Sequence, residues 1–117
     1  MHELPVTKSI YKIVRKHARK NRVRRVITVN LEIGILSDLE QEWIQQYFDY
    51  LSKGTFLEGT KISISRIPAI FFCNECLQKS QVESLITQDL YCIYCGSGNM
   101  SLVSGKEYTI KNMEVEE

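Results

Sequence analysis

Four cysteines are the residues of this chain whose spacing most clearly predicts chemistry. They occur as two Cys-x-x-Cys pairs, Cys73 with Cys76 and Cys92 with Cys95, separated by residues 77–91. This spacing is typical of a zinc site in which each pair covers one side of the ion. Four thiolates complete the tetrahedron that zinc prefers and leave no position for water, so we expect a structural zinc ion. Thiol redox chemistry and two disulfides are the alternatives.

The segment that holds these cysteines, residues 72–104, differs in composition from the rest of the chain and contains no histidine. It is too small to bury much apolar surface, so we predict an inserted domain whose order comes largely from the metal. Gly96 follows Cys95 directly and is expected to adopt a positive φ that turns amide hydrogens toward sulfur.

The amino terminus is the second candidate site, and it reads Met1, His2, Glu3. A free α-amino group, the amide nitrogen of His2 and its imidazole would form two fused chelate rings around one metal ion. Such donors favour square-planar Ni²⁺ or Cu²⁺ over zinc, with Glu3 as the fourth ligand through its amide or carboxylate. The amine titrates at about 7.7 to 8.0 and the imidazole at about 6.5, so metal should be released as pH falls. A disordered terminus without metal is the ordinary alternative.

A basic amphipathic helix is predicted from Val6 to about Lys20, with a proline in its first turn. Nine of the fifteen Lys and Arg residues lie between Lys8 and Arg25, although the net charge is only +1. His17 falls on the apolar side, which favours a core histidine over a metal ligand. The predicted apolar side consists of Val6, Ile10, Ile13, Val14 and His17.

The next elements are predicted to be a strand and a second helix. Apolar residues alternate from Ile27 to Ile35, as in a strand with one covered face. Ser37 and Glu40 match a capping box, so we expect the helix to start there and to end before Gly54 in a left-handed conformation. Four residues at helical spacing are predicted to cover the sheet, in preference to marking a contact surface: Leu39, Trp43, Tyr47 and Leu51.

Two further strands are predicted near residues 61–67 and 107–116. Pro68 limits the first of them to a sheet edge or marks its end, because proline lacks the amide hydrogen that a strand ladder needs. In the last strand the apolar residues change parity near Asn112, which indicates a bulge.

These motifs closely resemble the HypA/HybF family of hydrogenase nickel-incorporation proteins. The similarity runs through MHEL, VNLEIGILSDLE, KGTFLEGTKISI, both cysteine pairs and GKEYTIKNMEVEE, and so covers nearly the whole chain. It implies an α+β fold of two helices packed on a three-stranded sheet, with an inserted four-cysteine, zinc-ribbon-like domain. The nickel-binding domain would comprise 1–71 plus 105–117, and the zinc-binding domain 72–104.

The resemblance also implies a function. It indicates a metallochaperone that delivers Ni²⁺ to the large subunit of NiFe-hydrogenase, working with the maturation GTPase HypB and in some organisms serving urease and its maturation proteins. Pro5 departs from the family pattern, and the zinc segment lacks a histidine that some members use as an extra nickel ligand. The implied ligands are Met1, His2 and Glu3 for nickel and Cys73, Cys76, Cys92 and Cys95 for structural zinc.

The alternative function is a zinc-ribbon nucleic-acid binder that uses the basic first helix on phosphates. A solvated helix face, or a docking surface for an acidic patch on a partner such as HypB, explains the same charges. No Walker A loop, HExxH motif or nucleophile elbow is present, so we do not expect an enzyme. The start lacks a secretory signal pattern, and we expect a cytoplasmic monomer or homodimer without membrane contact.

Overall fold

The computed structural model describes residues 3–83 and 90–116. Within them, neither helix is both long and apolar enough to span a lipid bilayer. The helices are α1 (Glu3–Lys20) and α2 (Gln41–Ser52), and the strands are β1 (Arg25–Gly34), β2 (Lys61–Ile67), β3 (Ala69–Cys73), β4 (Lys79–Val82), β5 (Met100–Ser104) and β6 (Tyr108–Glu116).

The chain divides into two compact units. The first unit contains the described residues of Met1–Glu32, Asp38–Ser65 and Thr109–Glu117. The second unit contains Ile33–Ser37 and Arg66–Tyr108. The sequence predicts domains at 1–71 plus 105–117 and at 72–104. These boundaries describe parts that fold independently, and they stay a prediction.

Helix α1 begins at Glu3, three residues before its predicted start, and its buried face differs from the predicted one. His17 is exposed, so the prediction of a core histidine is wrong. Ile13 is also 42% exposed. The buried face follows a spacing of four residues, which passes from Val14 to Ala18 and leaves His17 outside. Its residues are Val6, Thr7, Ile10, Val14 and Ala18.

Strand β1 confirms the predicted strand, but its burial pattern is less regular than expected. Val26 and Val29 are buried, whereas Ile27 is 42% exposed. Val26 and Val29 are three positions apart, so they cannot lie on the same face of a regular strand, in which successive side chains point to opposite faces. From Val29 onward every second side chain is buried, as the sequence predicts.

Helix α2 begins at Gln41, after the predicted start at Ser37. The Ser37 amide donates to the carbonyl oxygen of Gly34 at 3.0 Å, and the N-cap residue Glu40 makes no side-chain capping bond. The capping-box prediction is therefore wrong, because the turn after β1 already uses the amide that the box needs. The predicted end is confirmed, since Gly54 has a φ of 78°.

The buried face of α2 also differs from the predicted one. Ile44 and Phe48 are fully buried, whereas Trp43 is 46% exposed and Tyr47 is half-buried. Leu39 is buried, as expected, but it lies before the helix and so does not define a helical face. The prediction that the row from Trp43 covers the sheet is wrong.

The three predicted strands form one sheet in the order β2-β1-β6. Strand β2 ends directly before Pro68, as expected. In β6 the half-buried positions include Ile110 and then Met113, which confirms the change of parity near Asn112. The Asn30 side chain donates to Oδ1 of Asn112 at 2.7 Å, close to this change.

A second sheet, which the sequence did not predict, lies in the cysteine-containing unit. Its strand order is β4-β3-β5, and β3 pairs antiparallel with both neighbours. The pairing with β5 is irregular between Ile70 and Phe71. Since β3 ends at Cys73, this sheet fixes the position of the first ligand pair.

Two glycines allow close backbone contact within the same unit. A Cβ atom on Gly34 would lie 2.0 Å from the carbonyl oxygen of Gly105. Gly105 has a φ of 146°, and its own Cβ would lie 2.8 Å from that of Ala69. Its carbonyl oxygen accepts from the Leu36 amide at 2.9 Å. Only glycine fits at both positions.

Candidate metal centres

The fold brings all four cysteines together. Their sulfur atoms lie within 4.8 Å of one another, and the closest pairs, Cys73 with Cys95 and Cys76 with Cys92, are both 3.5 Å apart. Four sulfurs bound to one zinc ion at about 2.3 Å would lie roughly 3.8 Å apart. A disulfide would need about 2.05 Å, and all four thiols are free. The donor set therefore fits one zinc ion.

Each Cys-x-x-Cys pair is held in a tight turn. The Leu77 amide donates to the carbonyl oxygen of Cys73 at 2.9 Å, and the Gly96 amide donates to that of Cys92 at 2.8 Å. Gly96 has a φ of 79°, which confirms the predicted positive φ. Leu77 takes the equivalent position with a φ of 64°, a conformation that a leucine adopts at a cost of roughly 1 to 2 kcal/mol.

Backbone amides favour the thiolate form at two of the sulfurs. The Cys76 amide donates to Sγ of Cys73 at 3.4 Å and lowers the pKa of that thiol. Burial opposes ionisation of Cys92, but the amides of Cys95 and Tyr94 outweigh it and lower the pKa of Cys92 to about 6. Two of the four ligands are therefore prepared to bind a cation.

The other two sulfurs favour the protonated thiol when no metal is bound. Burial raises the pKa of Cys76 to about 12. The Ser97 amide acts to lower the pKa of Cys95, but the neighbouring Cys73 sulfur and burial raise it overall. Each close pair thus combines an acidic thiol with a weakly acidic one. A bound dication would offset the repulsion between neighbouring thiolates, so all four sulfurs could bind it in the thiolate form.

A polar network that the sequence analysis missed ties the first cysteine turn to β5. The Asn74 amide donates to the carbonyl oxygen of Asn99 at 2.9 Å. The Asn74 side chain donates to Ser101 at 3.0 Å and to Asn99 at 3.1 Å. The Asn99 side chain donates to Glu75 at 3.3 Å. Asparagine and serine are common in loops, so no sequence signal distinguished these residues.

At the amino terminus, only one of the three predicted nickel ligands can be placed. Glu3 is the first residue of α1, whereas Met1 and His2 lie outside the described residues. The Thr7 hydroxyl donates to the Glu3 carbonyl oxygen at 2.6 Å, and the Glu3 carboxylate accepts from the Glu40 amide at 3.3 Å. Glu3 is thus held against the segment that leads into α2.

No other metal-binding group of three or more side chains occurs within 3–83 and 90–116. The exposed His17 lies in a basic stretch of α1, between Lys16 and Arg19. The Arg19 guanidinium lies 5.9 Å from the centre of the Phe56 ring. The exposed basic residues of α1 are Lys8, Lys12, Arg15, Lys16, Arg19 and Lys20.

Two helices, two small sheets and a four-cysteine cluster define a mixed α+β metal-binding protein. The family model for HypA, described as hydrogenase/urease nickel incorporation, metallochaperone, matches residues 1–115. The chain therefore belongs to the HypA family, whose members bind nickel, and the resemblance found in the sequence is confirmed. The cysteine cluster is consistent with a structural zinc site.

Similar proteins support the same assignment. The chain is 38% identical over 117 residues to hydrogenase maturation factor HypA of Nostoc sp., covering 100% of this chain and 97% of the relative. It is 36% identical over 116 residues to HypA of Geobacter metallireducens, covering 99% and 100%. These relatives give no support to the nucleic-acid alternative.

Solved structures show the same fold. The solution structure of the Ni metallochaperone HypA from Helicobacter pylori matches with a TM-score of 0.69 and 22% identity, covering 98% of this chain and 97% of that one. A second solution structure, of HypA protein, matches with a TM-score of 0.72 and 21% identity, covering 99% and 97%. At these identities the likeness concerns the fold alone.

Proposed function

We propose that this protein carries Ni²⁺ at its amino terminus and delivers it to the large subunit of NiFe-hydrogenase. Met1, His2 and Glu3 bind the ion, and the GTPase HypB takes part in the transfer. Urease maturation proteins are further candidate recipients. The zinc site is structural and is formed by Cys73, Cys76, Cys92 and Cys95.

The position of Glu3 carries this proposal. Because Glu3 is the first residue of α1, no carbonyl oxygen within the helix accepts from its amide, which therefore remains available as a donor to metal. The bonds from Thr7 and Glu40 hold the rest of Glu3 in place. An amide nitrogen loses its proton on binding Ni²⁺, so two such donors would cancel the charge of the ion. The positive end of the helix dipole would then not repel the complex.

The cysteine cluster supports the assignment of separate roles to the two metals. Its four sulfurs lie within 4.8 Å of one another, and four thiolates complete the tetrahedron that zinc prefers, which would leave no open position through which a recipient could take the ion. Nickel bound in a plane at the terminus would instead be accessible from above and below. The terminus is therefore suited to a cargo ion, and the cluster to a resident ion.

Nickel binding to three forms of the zinc-loaded protein tests the proposal. These are the native chain, a chain whose α-amino group is acetylated, and His2→Ala. Acetylation removes the amine as a ligand, so we expect both altered forms to bind Ni²⁺ at least about a hundredfold more weakly, since loss of an outer-shell partner alone costs up to about a hundredfold. Intact mass must show that the native form keeps Met1. Native affinity in the acetylated form would contradict the terminal site.

Delivery needs a separate measurement. The nickel-loaded chain is mixed with the metal-free large subunit, with and without HypB, and the nickel content of the large subunit is measured after separation. We expect transfer from the native chain and little from His2→Ala at equal total nickel. Equal transfer from both would show that the chain does not carry the delivered ion.

A further inference from the structure

The outer face of α2 carries an aromatic row that the core does not use. Trp43 and Tyr50 are 46% and 77% exposed, and Tyr47 lies between them. The Trp43 and Tyr47 rings stack with their centres 6.1 Å apart. The opposite face of α2 already supplies the core through Phe48, which meets the Tyr11 ring edge-on at 5.7 Å. The outer rings are therefore not required for packing.

Next to this row lies a cavity, here called the aromatic groove, lined by Leu4 of α1 and by Gln46, Tyr47 and Tyr50 of α2. Its volume is about 330 Å³, comparable to the smallest ligand pockets at roughly 300 Å³. Its walls are the first turn of one helix and the side of another, a geometry that accepts a side chain from a third helix. Exposed tryptophan and tyrosine beside such a cavity are typical of the strongest contacts in protein interfaces.

The groove lies beside the proposed nickel site. Leu4 follows Glu3 directly, and the Glu3 carboxylate is bound to the Glu40 amide just before α2 begins. A protein docked in the groove would therefore be held within a few residues of Met1. That position suits a protein that exchanges nickel with this chain.

The charges around the groove specify the docked segment. Glu42, Gln46 and Asp49 form the helical row next to the aromatic one, and all three are exposed. On the other wall, Lys8 lies one helical turn beyond Leu4 and is also exposed. A complementary segment carries an apolar anchor, cationic side chains toward α2 and an acidic side chain toward α1.

We propose that the aromatic groove docks an amphipathic helix of the protein with which this chain exchanges nickel. An apolar side chain enters between Leu4 and Tyr50, and Lys or Arg residues lie over Glu42 and Asp49. The inference rests on the proposed function, because it assigns the docking surface of that exchange.

The chain contains a single tryptophan, Trp43, whose ring stacks on the groove residue Tyr47 and therefore responds to changes at the groove. Protein labelled with 5-fluorotryptophan has one ¹⁹F resonance, from Trp43. Purified HypB, the transfer partner named above, serves as the probe. We expect saturable movement or broadening of this resonance as HypB is added to the zinc- and nickel-loaded chain, and no change when the labelled chain alone is concentrated.

Two variants and one control separate docking from nickel binding. Tyr50→Ala removes an exposed ring, and Glu42→Lys reverses a bordering charge. Each should weaken HypB binding at least about tenfold while leaving Ni²⁺ affinity unchanged. Tyr91→Ala removes a ring that is 59% exposed on the other unit and should leave both affinities unchanged.

Three results would overturn the inference. HypB could bind fully while the ¹⁹F resonance stays fixed. The variants could bind HypB as the native chain does, or Tyr91→Ala could weaken binding equally. The resonance could move on concentration of the chain alone, in which case a second copy occupies the groove. Failure of the proposed function would look different, because the native chain would then not bind Ni²⁺ at its terminus.

Discussion

In the cysteine cluster all four donor atoms belong to described residues, whereas at the amino terminus only Glu3 of the three proposed ligands does. The cluster is formed by two backbone turns whose positions are fixed by a sheet and by the bonds of Asn74. Glu3 is held by two hydrogen bonds. A site enclosed by rigid backbone retains its ion, while a site on a chain end can release one by giving up a single ligand at a time.

Removal of zinc should give the largest effect. Structural zinc contributes about 10 to 16 kcal/mol of binding energy, and the few buried side chains of the cysteine-containing unit cannot replace it. Chelation, or Cys73→Ser, should therefore abolish the dispersed amide NMR signals of residues 69–104. The signals of α1 and α2 should persist, and Ni²⁺ affinity should change little.

Addition of zinc to the chelated protein is the control for the first experiment and should restore the spectrum. Dispersed signals from residues 69–104 in metal-free protein would show that the sheet around β3 is stable alone. Loss of nickel binding together with zinc would show that the two sites do not act separately.

Gly34→Ala should give the next largest effect. The new methyl group would lie 2.0 Å from the Gly105 carbonyl oxygen, and neither this backbone oxygen nor a Cβ atom can move aside without a shift of the backbone. We expect the free energy of unfolding to fall by at least about 3 kcal/mol, measured by urea denaturation of zinc-loaded protein. Gly98→Ala is the control, because its Cβ would lie 3.7 Å from the Tyr91 ring, an ordinary contact. Equal stability of the two variants would contradict the contact between Gly34 and Gly105.

Zinc affinity should depend steeply on pH. The pKa of Cys76 is raised to about 12, and that of Cys95 is raised, so both thiols keep a proton near neutrality until metal displaces it. Release of at least these two protons makes affinity rise at least about a hundredfold per pH unit, or roughly 2.7 kcal/mol. The affinity is lost as pH falls, since protons compete for the sulfurs. Competition with a chelator at pH 6.5 and 7.5 measures the slope, and a pH-independent affinity would show that all four thiols ionise without metal.

The parts of the fold that depend on local pattern could be predicted from the sequence. Pro68 and Gly54 act through their own backbone geometry, so they marked element ends correctly. The cysteine spacing predicted their convergence because each pair needs only a short turn. Gly96 was identified for the same reason, whereas Leu77 was not, since its conformation is set by the turn rather than by its residue type.

The parts that depend on tertiary contacts were missed. Ser37 and Glu40 match a capping box in isolation, but the turn that follows β1 binds the Ser37 amide first. The predicted rows through His17 and Trp43 each lie one residue, about 100° around the helix, from the buried positions Ala18 and Ile44. The apolar period does not by itself fix which side of a helix meets its neighbours, so tertiary packing decides it. Whether Met1 and His2 bind nickel stays a prediction.

Two buried hydroxyl groups, one in each unit, should give the smallest stability effects. They compare how each unit satisfies its buried polar groups. Thr60 donates to the carbonyl oxygen of Val26 at 2.8 Å, whereas the Ser80 hydroxyl has no partner among the described residues. Thr60→Val keeps the side-chain shape and leaves Val26 without this donor, so it should cost about 1 to 2 kcal/mol. Ser80→Ala removes an unpaired polar group and should change stability by less than about 0.5 kcal/mol.

Urea denaturation of both variants with zinc bound, followed by hydrogen exchange of each unit, measures this difference. A loss at Ser80→Ala as large as that at Thr60→Val would mean that the Ser80 hydroxyl is paired in solution, for which a buried water is the simplest partner. A smaller loss of stability for Ser80→Ala than for Thr60→Val, as expected, would instead imply that the cysteine-containing unit tolerates an unsatisfied polar group in its interior. It can do so because metal binding, and not the completeness of its hydrogen bonds, supplies most of its stability.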